Sequence, residues 1–389
     1  MKILDKELLN KTLDDRFNDY LLHNKIAGAS VLVAQNDEIV YKKHFGYKNV
    51  YTKEEINDQT LYRLASMTKP FSGIAFLIGL ENGWYKMEDD VSDYLPYFKD
   101  LYVGRIENGK VVKDHIAKNS IKMWMLLSNS SGFMVSDEIG NLNHDSVPLS
   151  AYETLESYVK YCANNCPLSY EPGTGASYSG YAAFSAFAVI LEQKSGMTYE
   201  EFIKEKIWKP LNIKDVTFKP TDEQWGRMIS MHDRTSGGLG SVTVDMGKHT
   251  FESFPIDFTC PGCSMAGSLD DYYKFTRLLL GKGEIDGIRI SNPDLFPLMT
   301  RRYIDRMGYK GREFWGLGVR VVSNTHTRLD EGSFGWSGAY GCHFWVDPKN
   351  NIIAILLRNS RYYDSHGCGV MGGEFEKAVM TCAKEVEWL

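Results

Sequence analysis

Ser66-Met67-Thr68-Lys69 sets a hydroxyl and an amine three residues apart, ahead of an apolar run that reaches Leu80. A serine hydroxyl is a weak nucleophile at neutral pH and attacks an acyl carbonyl only with a base beside it. Lysine can be that base where burial or a neighbouring cation disfavours its ammonium form. If Ser66 opens a helix over the apolar run, Lys69 lies one turn on along the same face. Backbone N–H groups at the helix start would then face any oxyanion formed at the serine. The pattern alone discriminates poorly. Ser157-Tyr158-Val159-Lys160 repeats it inside a helical stretch, where a solvated helix face explains it.

Other reactive residue types lead less far. Cys260-Pro261-Gly262-Cys263 could be a redox pair or half a zinc site, but no second C-x-x-C or H-x-x-x-H accompanies it, so packing is expected. Cys162 and Cys166, one helical turn apart, read as core for the same reason. His343 on a late strand reads as a structural histidine. The chain holds no G-x-S-x-G elbow and no phosphate-binding loop. No metal and no cofactor are expected.

The elements that must carry Ser66 and Lys69 follow from periodicity. Asp5 can cap a first helix with Leu9, Leu13, Phe17, Tyr20 and Leu21 at helical spacing. Strands are expected over Ala29 to Ala34 and Ile39 to Phe45, joined by Gln35-Asn36-Asp37-Glu38. Helical patterns dominate from Thr68 to Lys209, broken by loops such as Pro172-Gly173-Thr174-Gly175, and a further helix is expected over Ser268 to Leu280. Strand character returns at Leu317 to Val322, His343 to Val346 and Ile352 to Leu357, the last two joined by Asp347-Pro348-Lys349-Asn350. A closing helix carries Phe375, Ala378, Val379, Cys382 and Val386 on one face. Strands at both ends predict an α+β fold with one sheet built from both termini.

Composition narrows the class. With 43% hydrophobic and 24% charged residues in 389, a full core is expected. A net charge of -6 offers no electrostatic reason for nucleic acid or an anionic membrane as partner. The aromatic share of 13%, with 23 tyrosines, fits either an apolar cleft or ordinary packing. Met1-Lys2-Ile3-Leu4-Asp5-Lys6-Glu7 has charges where a secretory signal needs an apolar run, and no window of about 18 apolar residues exists. Seven cysteines, an odd number, read as free and mostly buried thiols of a reducing compartment, so a cytoplasmic protein is expected.

The company of Ser66 is more specific than the pattern. Leu64-Ala65-Ser66-Met67-Thr68-Lys69 is followed by Met125-Leu126-Leu127-Ser128-Asn129-Ser130-Ser131-Gly132, then by Pro167-Leu168-Ser169-Tyr170-Glu171-Pro172-Gly173 and Tyr178-Ser179-Gly180. Ser195-Gly196 and Ile207-Trp208-Lys209-Pro210-Leu211 come next, then Trp315-Gly316-Leu317-Gly318, Gly335-Trp336-Ser337-Gly338 and Asp347-Pro348. In order and spacing, over residues 27 to 360, this series resembles the serine β-lactamase and penicillin-binding-protein superfamily, in particular its class C-like, family VIII-type esterase branch.

The resemblance implies a β-lactamase/transpeptidase-like fold. Segments 1-60 and 250-389 would form the sheet region, 60-250 the helical region, and the active site would lie between them in one compact unit. It implies Ser66 as nucleophile, Lys69 as acceptor or relay of its proton, and Tyr178 as proton shuttle to the leaving group and to the deacylating water. The oxyanion hole would be the N–H groups of Ser66 and Ala339. Trp336, Ser337, Gly338, Gly180 and Tyr181 would contact substrate. Tyr181 rivals Tyr178, because the stretch up to Glu192 is one residue longer than usual.

Three departures bear on the activity. Asn129 stands where histidine is usual, Gly180 replaces an asparagine that contacts the lysine, and Trp336 replaces a carboxylate-binding lysine or histidine. An indole offers an apolar wall and one N–H donor. The implied function is an esterase, amidase or acyltransferase on a small neutral ester or amide. A β-lactamase or D-alanyl-D-alanine carboxypeptidase is the alternative within the family. A catalytically silent binding or scaffold protein is the alternative outside it; Gly180 favours it, and the joint presence of Ser66, Lys69 and Tyr178 counts against it.

Overall fold

The computed structural model describes residues 1–235, 238–243, 258–361 and 369–386. It opens with strand β1 (Lys2–Leu4) and helix α1 (Lys6–Leu22). The Asp5 side chain caps α1 by accepting from Leu8 N–H, and Leu9, Leu13, Phe17 and Tyr20 form its buried face. Strands β2 (Gly28–Gln35) and β3 (Glu38–Asn49) form the expected hairpin. Its two turn residues, Asn36 and Asp37, take left-handed backbone at φ 52° and 63°, which matches the twist of the flanking strands.

Helix α2 (Lys69–Glu81) follows, but the stretch expected to be helical throughout contains a hairpin, β4 (Tyr102–Glu107) and β5 (Lys110–Ile116). Its turn is Asn108-Gly109, both at positive φ, a two-residue hairpin signal that the helical reading passed over. Then come α3 (Glu138–Asp145), α4 (Leu155–Asn165) and α5 (Ala182–Ser195). Ser157 is not on a solvated mid-helix face as expected. It sits in the first turn of α4 and completes a capping box with Thr154, its Oγ accepting from Thr154 N–H at 2.9 Å.

The C-terminal part holds α6 (Leu269–Leu280), β6 (Glu313–Trp315), β7 (Arg320–Val322), β8 (Phe334–Ser337), β9 (His343–Asp347), β10 (Ile352–Leu357), α7 (Gly369–Thr381) and β11 (Ala383–Glu385). The strand expected from Leu317 begins only at Arg320, because Gly316 to Gly318 make a turn with Gly318 at φ 75°. In the closing helix Phe375, Ala378 and Val379 are buried, and Cys382 is buried just past its end. Val386 is exposed beyond β11 and does not belong to that face.

The main sheet has nine antiparallel strands. Its order runs Ile304–Asp305, β6, β7, β8, β9, β10, β2, β3 and Glu54–Glu55. The two chain ends meet at its centre, where β10 pairs with β2 from Ile352↔Gln35 to Leu357↔Ser30. Both strands are buried on two faces, and their side chains divide by the period of two. Val31, Val33, Ile352, Ala354 and Leu356 pack with α1 and α7. Leu32, Ala34, Ile353, Ile355 and Leu357 pack with the helices that carry the site. The fold is α+β, an antiparallel sheet from both chain ends with helices against it. The expected boundary at residue 250 lies outside the described residues. Among the described residues no helix is long and apolar enough to cross a membrane.

Phe375 fastens α7 to this sheet, its ring 5.1 Å from Trp345 and 6.3 Å from Phe17. Phe375→Ala should cost about 3–5 kcal/mol, read as a lower urea midpoint at unchanged slope.

Candidate functional site

Ser66 does not open the α-helix. It sits in a single 3-10 turn, Ala65–Thr68, which leads into α2 at Lys69. Neighbouring chain fixes this turn: Met265 N–H donates to Thr68 Oγ1 at 3.1 Å, and the Tyr272 hydroxyl donates to the Met67 carbonyl at 3.0 Å. Ala65, at φ 46°, occupies a region that a residue with a Cβ enters only when its surroundings hold it there. The turn also meets β8 closely. A Cβ at Gly338 would stand 2.2 Å from the Leu64 carbonyl oxygen, so glycine is what permits the approach.

Lys69 has no exposed surface. Its Nζ donates to the carbonyls of Gly180 and Gly262, each at 3.0 Å, and lies 3.5 Å from Ser66 Oγ. The rings of Tyr178 and Phe184 face it at 4.6 and 4.7 Å. Gly180, which lacks the side chain expected to reach this lysine, reaches it with its main chain. Gly262 was not foreseen, because a carbonyl contributed by the backbone leaves no signature in residue type.

The Tyr178 hydroxyl donates to Ser66 Oγ at 2.5 Å. The segment that carries it is held from the Asn129 loop: Ser136 N–H donates to the Tyr178 carbonyl at 2.7 Å, and Ser179 N–H donates to Asn129 Oδ1 at 2.9 Å. Tyr181 stands at the residue just before α5, with its ring 5.5 Å from His144. The structure thus brings Tyr178 against Ser66 and leaves Tyr181 on the cavity wall.

Trp336 Nε1 donates to the Tyr178 hydroxyl oxygen at 3.2 Å, and the Trp315 ring lies 4.5 Å from that of Trp336. Two cavities meet at Tyr178. One, about 310 Å³, is lined by Ser66, Tyr178, Gly180, Tyr181, Cys263 and Ala339 among others. The other, about 320 Å³, is lined by Trp315, Trp336, Ser337, His343, Arg306 and Arg328 among others.

His343 is tied to this second cavity through Ser337. Ser337 Oγ lies 2.7 Å from His343 Nδ1, and His343 Nε2 lies 3.1 Å from Glu376 Oε1. Burial works against the Glu376 carboxylate, but Arg320, His343 and Arg328 together hold its pKa well below the usual range. An ionised Glu376 can only accept, so Nε2 carries the proton. Neutral His343 then offers a lone pair at Nδ1 and accepts a hydrogen bond from the Ser337 hydroxyl. Ser337 therefore turns acceptor lone pairs toward the cavity. Arg320 and Glu376 escaped the sequence reading because they sit on separate elements, β7 and α7, with no local pattern to link them.

Fold and geometry define a serine hydrolase family with the β-lactamase fold. The beta-lactamase family profile matches residues 13–369, and the chain belongs to that family. An uncharacterized protein of Mycobacterium tuberculosis is 26% identical over 358 residues, 85% of each chain. Esterase EstB of Burkholderia gladioli is 25% identical over 391 residues, 94% of each chain. Among solved structures, EstCE1, described as a hydrolase with promiscuous acyltransferase activity, superposes with TM-score 0.78 at 22% identity over 97% of this chain and 98% of its own. Unliganded simvastatin synthase (LovD) of Aspergillus terreus gives TM-score 0.73 at 20% identity over 97% of both chains. A family VIII carboxylesterase gives TM-score 0.75 at 19% identity over 96% of this chain and 97% of its own. At these identities the structural likeness establishes the fold.

Burial holds the His343 pKa below its ordinary value of 6.5, although Glu376 pulls the other way. The unfolded chain then binds this proton first as pH falls, so the stability that neutral His343 contributes is complete above about 6.5 and declines below it. Melting temperature should therefore fall as pH drops beneath that point. His343→Gln should start from a lower melting temperature and show a shallower decline over the same interval.

Proposed function

We propose that this chain forms an acyl-Ser66 intermediate from small neutral esters or amides and passes the acyl group to water or to another alcohol or amine. The observation that carries this reading is the convergence of Tyr178 Oη and Lys69 Nζ on Ser66 Oγ, at 2.5 and 3.5 Å, in the wall of a cavity. The names of EstB and EstCE1, an esterase and a hydrolase with promiscuous acyltransferase activity, agree with it.

Ser66 Oγ attacks the acyl carbonyl and gives its proton to the Lys69 amine, 3.5 Å away. Charge gathering on the tyrosine oxygen is met by the Trp336 N–H at 3.2 Å and by Lys69, which faces the ring at 4.6 Å. Tyr178 gives its own hydroxyl proton to the departing alcohol or amine, then takes one from the water that cleaves acyl-Ser66. Lys69 holds Ser66 and Tyr178 in register and relays protons between them. The N–H groups of Ser66 and Ala339 receive the oxyanion. The Gly180 carbonyl on Lys69 removes the main reason for reading the chain as a silent scaffold.

One observation favours a carboxylate-bearing substrate, as a β-lactamase or carboxypeptidase would take. Arg306 lies 5.2 Å over the Trp336 ring and lines the second cavity. Its guanidinium is paired with Glu313, so its charge is already met, and neutral substrates remain the better fit.

A fluorophosphonate should label the wild-type chain and Ser157→Ala equally and leave Ser66→Ala unlabelled; label retained in Ser66→Ala would refute the assignment. Short-chain aryl esters should exceed nitrocefin in kcat/KM by at least about a hundredfold, roughly 3 kcal/mol in transition-state binding. Comparable efficiencies would restore the β-lactamase reading. Tyr178→Phe should accumulate acyl-enzyme, visible by intact mass, while Tyr181→Phe should not.

A further inference from the structure

Cys260 and Cys263 were expected to be packing residues, yet their sulfurs lie 3.1 Å apart across one tight turn, in which Cys263 N–H donates to the Cys260 carbonyl. Both are free thiols; Cys260 is buried, and Cys263 is partly exposed in the wall of the Ser66 cavity. One of the two residues between them, Gly262, gives its carbonyl to Lys69 Nζ at 3.0 Å. The turn is pressed against the site without slack, since a Cβ on Gly262 would stand 2.4 Å from the Gly180 oxygen and 3.2 Å from Lys69 Nζ.

We propose that Cys260 and Cys263 are a redox modification site that takes a low-molecular-weight disulfide, and that closing their disulfide moves the Gly262 carbonyl off Lys69. The Cys263 thiolate attacks the incoming disulfide, forming one mixed S–S bond and releasing one small thiol. Cys260 then attacks Cys263 Sγ as a thiolate, forming the internal disulfide and expelling the second small thiol. Two protein thiols are oxidised and one small disulfide is reduced to two thiols; each departing thiolate takes up one of the two protons that the cysteines release.

Closing draws the sulfurs from 3.1 Å to about 2 Å, and the intervening turn must shift to allow it. In the reduced chain burial opposes ionisation at Cys260, but the Cys263 thiol, the Gly262 N–H and Lys69 together bring its pKa below the usual value; the Gly262 N–H and Lys69 remain beside it for the resolving step. Burial pushes the Cys263 thiol up, so the entry step quickens as pH rises. The effect on acylation rests on the Ser66–Lys69 reading above; the disulfide itself does not.

The test incubates the full reduced chain with oxidised glutathione, maps disulfides by mass after digestion without reductant, and follows the rate of fluorophosphonate labelling at Ser66. The expected result is loss of two hydrogens from the peptide that spans Cys260 and Cys263. Labelling should slow at least about tenfold, the worth of one charge-assisted hydrogen bond, and dithiothreitol should restore it. Cys260→Ser should stop at a glutathione adduct on Cys263. The proposal is overturned if both thiols remain free to alkylation after the oxidant, or if the disulfide forms and labelling keeps its rate. A reduced chain that never labels would refute the acyl-transfer reading alone, and the disulfide map would still decide this one.

Discussion

Lys69 is wholly enclosed, and a buried amine needs an oxygen or an aromatic face for every N–H it carries. One partner, Ser66, is a single turn away; the others come from distant parts of the chain, the carbonyls of Gly180 and Gly262 and the rings of Tyr178 and Phe184. Meeting that requirement pulls the 3-10 turn, the segment before α5 and the turn before α6 into one place. Glycine recurs at the contact points for a steric reason. A Cβ on Gly318 would stand 2.6 Å from the Lys69 carbonyl oxygen, and one on Gly262 would crowd Nζ itself. A side chain at either position would push the nucleophile turn away from its neighbours.

A second buried group of charges anchors the opposite wall. Glu313 and Glu376 are fully buried, and Arg306, Arg320, Arg328 and His326 surround them. Burial works against the Glu313 carboxylate, yet His326, Arg320 and Arg306 hold its pKa down to about 2. Such a group adds little net stability against an apolar core of the same volume, but removing one member strands the others and costs about 3–5 kcal/mol. Here it does two things at once. It joins α7 to the end of the sheet through the bonds from Arg320 and Arg328 to Glu376, and it sets the tautomer of His343 and so the direction of the Ser337 hydroxyl. The closing helix is therefore part of the site, although it lies far from Ser66 in the chain.

Much of the fold was legible where local and global preferences agree. The β2–β3 hairpin and the strand Ile352–Leu357 follow from apolar runs bounded by turn residues, and α1 follows from its cap and its stripe of buried residues. The misses share a different origin. The β4–β5 hairpin is mostly exposed, so it has little apolar alternation to betray it, and only Asn108-Gly109 marked it. Strands β1 and β11 hold three residues each and are defined by pairing with one another across nearly the whole chain. Leu317 is apolar like a strand residue, but the glycines on either side and the approach to Lys69 turn the chain there.

The sequence by itself determined the reactive atoms and their local phase. It set a serine and a lysine one turn apart, a tyrosine after a Pro-Gly loop, and an indole in place of a cation on a late strand. Only the tertiary structure decided that Tyr178 and not Tyr181 lies against Ser66, that two carbonyls rather than an asparagine hold Lys69, and that His343 and Glu376 orient Ser337. Periodicity and residue type govern which way a side chain faces on its own element. Distances between atoms more than a hundred residues apart are set by how the sheet and helices pack, and main-chain carbonyls, which every residue carries, acquire a role only through that packing.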